Sequence, residues 1–212
     1  MPLLALLGDS VFDNGSYTNG GPAVVEQANA RLPEGWSARL LAVDGSTTDD
    51  IAEQLARVPD EATHLVLSVG GNNALLRADI LQAQVTSSAE ALLMLGHAAA
   101  EFEQAYRRMV EACLALKRPL VVCTVYHGNF PDPAFAACAA VALTVFNDAI
   151  IRVAAVHGLT VIDLRTVCTT PDDYANPIEP SAHGGDKIAS AIVRTVAQRD
   201  PVPQGARVLA FG

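Results

Sequence analysis

The sequence predicts a three-layer α/β/α domain built on a five-stranded parallel sheet of the flavodoxin-like kind. Three observations lead there. Five short apolar runs alternate with longer helical patterns along the chain. The runs are nearly continuous in Leu, Val and Ala, as strands are when helices cover both faces of a parallel sheet. Nothing in the 212 residues reads as a linker or a repeat, so the βα units belong to one domain.

Taken in order, the strands are expected at 3–8 (LLALLG), 38–43 (ARLLAV), 64–69 (HLVLSV), 119–125 (PLVVCTV) and 159–163 (LTVID). Gly, Pro or a polar residue bounds each. Helical patterns fill 22–32, 48–57, 88–117, 134–157 and 184–199. Ser46, Thr47 and Thr48 offer N-cap oxygens to the second helix, and Gly158 stands where the fourth should end. Segments 74–88 and 127–134 are the long excursions, and loops of that size tend to carry function. The domain is expected over 1–200, with a tail at 201–212 that ends as an edge strand or an arm.

Half of the residues are hydrophobic and 17% are charged, a globular composition. The formal net charge of −9 supplies no basic face, which argues against a nucleic-acid or anionic-membrane partner. The first residues lack a cationic stretch, and their apolar run is too short for a secretory signal. No uninterrupted apolar stretch reaches the roughly 20 residues of a bilayer span. The four cysteines (Cys113, Cys123, Cys138, Cys168) show neither CxxC spacing nor a disulfide framework. Free thiols in a reducing cytoplasm are the expectation.

In an open α/β sheet, ligands bind beyond the carboxyl ends of the strands. The five strands here run into GDSVFDNGSY, DGSTTDD, GGNNALL, YHGNFPD and a last segment ending YANPIEPSAHGGDKIA. Small residues, hydroxyls and amides converge on that edge, a set suited to acyl or ester chemistry on a small molecule. There is no Walker A lysine motif, no GxGxxG after the first strand, no HExxH and no GxSxG elbow. No metal or organic cofactor is expected. A serine nucleophile needs donors aimed at a developing oxyanion. The N–H of Ser10, the N–H of Gly45 and the side-chain amide of Asn72 are candidates.

Gly8-Asp9-Ser10, then Gly45, then Gly70-Gly71-Asn72, on this α/β pattern, resemble the SGNH/GDSL hydrolase family over nearly the whole chain. The resemblance implies a flavodoxin-like fold and hydrolysis of esters or related acyl groups. It also implies that Ser10 is the nucleophile and that Ser10 N–H, Gly45 N–H and Asn72 form the oxyanion hole. The family's third block usually reads GxND; here Asn73 replaces the aspartate and leaves the oxyanion amide in place.

The family's last block is Asp-x-x-His, commonly continuing Pro-Ser-x-x-Gly. This chain has N-P-I-E-P-S-A-H-G. Aligning on Pro180-Ser181 and Gly184 puts Glu179 at the histidine position and Asn176 at the aspartate position. A histidine comes four residues late, at His183, with Pro180 three residues before it. Three arrangements stand open. His183 is the base, oriented by Glu179 or another carboxylate. Alternatively Glu179 itself takes the serine proton, which requires burial to raise its pKa. In the third, no base exists and the site is a silent binding module for an acylated or glycosylated ligand.

Asp9 and the run Asp13-Asn14-Gly15 read first as turn formers. His127 sits on the functional edge, whereas His64, His97 and His157 fall on strand or helix patterns and read as structural. Tyr17, Tyr126, Phe130 and Tyr174 line a pocket or pack at loop bases. A flavodoxin-like nucleotide binder is the weakest alternative, for want of a phosphate-cradling loop after the first strand.

Overall fold

Leu3–Gly8 (β1) runs parallel between Ser37–Leu40 (β2) on one side and His64–Ser68 (β3) on the other. Leu120–Cys123 (β4), Thr160–Ile162 (β5) and Arg207–Leu209 (β6) continue from β3, giving the order β2-β1-β3-β4-β5-β6. Every pairing is parallel. The computed structural model describes residues 1–197 and 205–211. It has six strands where the sequence predicts five, because part of the C-terminal tail adds β6 to the edge of the sheet. Residues 198 and 199 of the expected last helix, and 201–204 and 212 of the tail, lie outside the described residues.

The helices are Val24–Arg31 (α1), Ile51–Leu55 (α2), Gly71–Leu75 (α3), Ser88–Ala115 (α4), Pro133–Val156 (α5) and Ala182–Val196 (α6). Side chains of β1 alternate between two cores. Ala5 and Leu7 pack with Ile51, Phe102, Tyr106 and Ile150 on one face. Leu4 and Leu6 pack with Val24, Ala28, Ile188 and Ile192 on the other. Each such Leu is fully buried and contributes about 2 kcal/mol by leaving water. Burial on both faces is why the strand reads as an unbroken apolar run.

Two local expectations resolve differently. Gly158 takes φ +67° just past α5, the left-handed conformation that ends a helix. Ser46, Thr47 and Thr48 do not cap α2, which begins only at Ile51 behind Asp50. The Asp50 carboxylate instead reaches back to accept from Thr47 N–H (2.7 Å) and Thr47 Oγ1 (2.8 Å), closing the turn before the helix. By length and composition α5 would suffice to cross a bilayer. Its C-terminal half buries Phe146, Ile150 and Val153 in the core. All four cysteines are free thiols, three of them buried.

The strand order reverses at β1, so the crevice beyond β1 and β3 is where this architecture places a ligand. Gly8 makes that crevice possible. Its φ is +134°, and a Cβ there would stand 1.8 Å from the carbonyl oxygen of Ser68. Only glycine lets the two strand ends meet while Asp9 N–H donates to that same carbonyl at 3.1 Å.

Candidate active site

Ser10 comes after the Gly8 crossing in a tight turn. Asp9 Oδ1 accepts from Val11 N–H at 3.1 Å, while the Asp9 carbonyl accepts from Phe12 and Asp13 N–H. The turn holds Ser10 nearly buried at the floor of a cleft. Asp9, Ser68, Asn72 and Glu179 line the same floor. The Gly8 peptide behind it is clamped by Gln54, whose Oε1 accepts from Gly8 N–H and whose Nε2 donates to Gly8 O, both at 2.8 Å.

Glu179 arrives from the segment before α6. Asn176 Oδ1 accepts from the N–H groups of Ile178 and Glu179, each at 3.0 Å, and so fixes the turn that carries the carboxylate. Tyr126 Oη donates to Ile178 O at 2.7 Å, Asn129 N–H to Pro177 O at 2.8 Å, and Asn14 Nδ2 to Pro180 O at 3.4 Å. Two separate segments, the loop after β4 and the turn at Asn14, therefore brace the Glu179 turn.

Burial pushes the Glu179 carboxyl above its ordinary range; hydrogen bonding from the Ser10 hydroxyl pulls it partly back, and the charge of Asp44 adds a smaller push. Its Oε2 is buried without a hydrogen-bond partner among the described residues, so the carboxylate keeps acceptor capacity in reserve. Burial also lifts Asp9, to about 7, against the lowering bond from Val11 N–H and with the charge of Glu179 adding to the rise. Two carboxyls thus share one poorly hydrated floor. Asp9 keeps its proton until near neutrality, and the charge of each carboxyl opposes ionisation of the other.

Asn72 lies at the start of α3 and donates from Nδ2 to Ser46 O at 2.9 Å. The second proton of that amide is left for another acceptor. Asn73 accepts from Thr48 N–H at 3.2 Å and donates to Thr48 Oγ1 at 3.1 Å, tying α3 to the loop after β2. An aspartate there could only accept from that hydroxyl, not donate to it. Gly45, on that loop, has φ +80° and is exposed. It is not among the residues lining the Ser10 cleft, but it adjoins Ser46, to which Asn72 is tied. Among the described residues the backbone N–H groups of Ser10 and Gly45 donate to no protein acceptor.

His183 is placed elsewhere. Ser181 caps α6, its Oγ accepting from Gly184 N–H at 3.2 Å. His183 then falls in the outward-facing first turn with its side chain 60% exposed. Its Nε2 lies 3.7 Å from Asp173 Oδ1, and it is not among the residues lining the Ser10 cleft. Asp173 is itself occupied: Lys187 Nζ donates to its Oδ2 at 2.9 Å, and Thr169 and Thr170 N–H each donate to the same oxygen at 2.8 Å. Of the remaining candidates, Tyr126 and Phe130 line the cleft, and Tyr17 Oη donates to Asp44 at 2.6 Å. Tyr174 Oη bonds to the carbonyls of His127 and Cys168.

Sequence alone does not single out Gln54 and Asp173 as parts of the site's frame. Gln54 and Asp173 carry no local signal, since their partners lie 46 residues away or in a turn whose closure depends on α6. Asn176-Pro177 is a turn signal that marks its own role.

Residues 6–187 match the GDSL-like Lipase/Acylhydrolase family. Among curated proteins none matches in sequence. Solved structures with the same fold include the lipase Lip_vut3 from goat rumen metagenome, with TM-score 0.70, 18% identity, and 94% of this chain and 99% of that one covered. The extracellular lipase of Streptomyces rimosus gives TM-score 0.65 and 20% identity over 93% and 100% of the two chains. Phospholipase A1 of Streptomyces albidoflavus NA297 gives 0.65 and 18% over 92% and 98%. With a serine in the G-D-S turn at the β1/β3 switch point and a family match across most of its length, the chain belongs to the GDSL-like lipases and acylhydrolases.

Proposed function

We propose that the protein hydrolyses an ester or similar acyl substrate through an acyl-enzyme on Ser10, with Glu179 rather than His183 as the proton acceptor. The single observation that carries this reading is that Ser10 and a nearly buried carboxylate, Glu179, line the same cleft floor while His183 does not. Ser10 Oγ attacks the carbonyl carbon while Glu179 takes the hydroxyl proton. The resulting oxyanion accepts hydrogen bonds from Ser10 N–H, Gly45 N–H and the free amide proton of Asn72. Collapse breaks the bond to the alcohol, which leaves with the proton from Glu179. Water then attacks the acyl-enzyme with the same carboxylate as base, the bond to Ser10 Oγ breaks as Glu179 returns the proton to that oxygen, and the acid departs. A carboxylate is a weaker base than imidazole, and burial of Glu179 narrows the gap. A cytoplasmic location belongs to the same proposal, supported by four unpaired cysteines.

A fluorophosphonate probe, read by intact mass, tests it. The wild type is expected to gain one label, and Ser10→Ala and Glu179→Gln to gain none, while His183→Asn labels like the wild type. Loss in His183→Asn with retention in Glu179→Gln would move the base to the histidine. An unlabelled, folded wild type would favour the second reading, a silent binding module, which the carboxylate at the histidine position supports.

A further inference from the structure

The cleft holding Ser10 is polar at one end only. Its catalytic floor carries Asp9, Ser10, Ser68, Asn72 and Glu179; the rest of its wall is apolar except for Arg77 and for Tyr126, whose hydroxyl is bound to Ile178 O. Counting the part open to solvent, it encloses about 960 Å³, within the range of small-molecule sites. Arg77 is engaged elsewhere, its guanidinium 3.0 Å from Glu101. Along the body of the cleft a hydroxylated or charged substrate group would give up water with no partner to replace it.

The walls have a definite shape. Ala139 and Ala142, three residues apart on α5, face Ala78 on the 3-10 turn Ala78–Gln82, so small side chains line part of the cleft. Bulky groups, Leu95, Leu143 and Phe146, line it further, and Phe130 packs edge-on against Phe135 at 5.0 Å between ring centres. The α5 segment 133–147 contributes no charged residue to this wall.

We infer that the cleft is an acyl-chain site and that the substrate is an ester of an aliphatic acid of several methylenes, not an acetyl ester or an ester of a polar acid. This rests on the proposed chemistry at Ser10. In the bound ester, the carbonyl lies over Ser10 and Asn72 and the alkyl chain runs between α5 and the 78–82 turn. The two carboxyls at the floor also favour turnover: the neutral ester is accepted, whereas the carboxylate product meets Glu179 and is repelled.

Two measurements test the inference separately from the catalytic reading. First, uncleavable binding is read with Ser10→Ala, using neutral methyl alkanoates from acetate to dodecanoate to displace Nile red. Each added methylene should tighten binding about fourfold until the cleft is filled. No dependence on length would overturn the inference. Second, p-nitrophenyl acetate and octanoate are compared in the wild type and in Ala142→Trp, which fills the cleft. The octanoate-to-acetate ratio of kcat/KM should fall at least tenfold in the variant, and an unchanged ratio would place the chain elsewhere. If wild type cleaves neither ester while Ser10→Ala binds by chain length, the catalytic reading fails and the acyl site stands.

Discussion

Asn176 Oδ1 accepts the backbone N–H of Glu179 at 3.0 Å and that of Ile178 at the same distance. The residue at the family's aspartate position therefore holds the residue at its histidine position by the main chain, whatever side chain stands there. Since an aspartate would accept the same two bonds, the turn tolerates either pair.

This makes the base exchangeable. Glu179→Gln should lower kcat/KM by about 10² to 10⁴, the usual worth of a positioned base. In the wild type, the rising limb of activity with pH should sit above the ordinary glutamate range, because burial lifts the Glu179 carboxyl. The double variant Asn176→Asp, Glu179→His should regain activity over Glu179→Gln, with a limb near about 6.5. A pH–rate profile of the three proteins checks this, and identical limbs in wild type and double variant would argue against Glu179.

Asp9 gives stability its own pH dependence. Its carboxyl rises from 3.8 to about 7 on folding. The folded protein binds that proton more tightly than the unfolded chain. The contribution is therefore fully present below 3.8 and is lost as pH climbs through 7. Asp9→Asn keeps an acceptor for Val11 N–H and carries no charge. Its urea-unfolding free energy should stay flatter between pH 4 and 8, with a difference in slope worth on the order of a few kcal/mol.

Gln54 is buried and satisfies both polar groups of the Gly8 peptide. Gln54→Leu leaves that N–H stranded, while Gly8 O keeps the bond from Val43 N–H, and should cost about 2 kcal/mol in urea unfolding. Gly8→Ala should cost more, since its Cβ meets the Ser68 carbonyl oxygen. Equal midpoints for wild type and Gln54→Leu would mean that water replaces the amide.

Asp173 shows the opposite sign to Asp9. Burial pushes its carboxyl up, but Lys187 and the N–H groups of Thr170 and Thr169 outweigh that and hold it below the usual range. Its stabilisation is present above the ordinary aspartate pKa and is lost as pH falls through the lowered folded value. Lys187→Met should cost about 3 kcal/mol at pH 7, for leaving a buried charge unpaired, and progressively less in acid. A constant gap between the two proteins across pH would show that Lys187 acts through packing alone.

Much of this molecule is legible without its structure. β1, β3, β4 and β5 come from runs rich in buried Leu, Val and Ile, because burial on both faces of a parallel sheet writes itself into composition, whereas β2 is only partly buried. Ser10, Asn72 and Glu179 can be found because each comes after a strand or precedes the last helix. Which of Glu179 and His183 faces Ser10 cannot. That depends on where Ser181 starts α6, and on Asp173 and Lys187 occupying the outward side of its first turn. The cap expected from Ser46, Thr47 and Thr48 fails for a related reason. The Asp50 side chain closes its own turn, and Ser46 and Thr48 are drawn into bonds with Gln54 and Asn73.

The short strand Arg207–Leu209 has a consequence for where this chain can be cut. It pairs with β5 across three residues, and Asp163 N–H donates to Leu209 O at 2.9 Å beyond them. Phe211 is held by its N–H on Thr166 Oγ1 and by the Arg194 guanidinium over its ring. A version trimmed to the catalytic segments would keep every residue of the Ser10 cleft, yet β5 would become an outer strand with open donors and acceptors. Such an edge recruits other chains, so the trimmed protein would be lost to self-association rather than to damage at its active site.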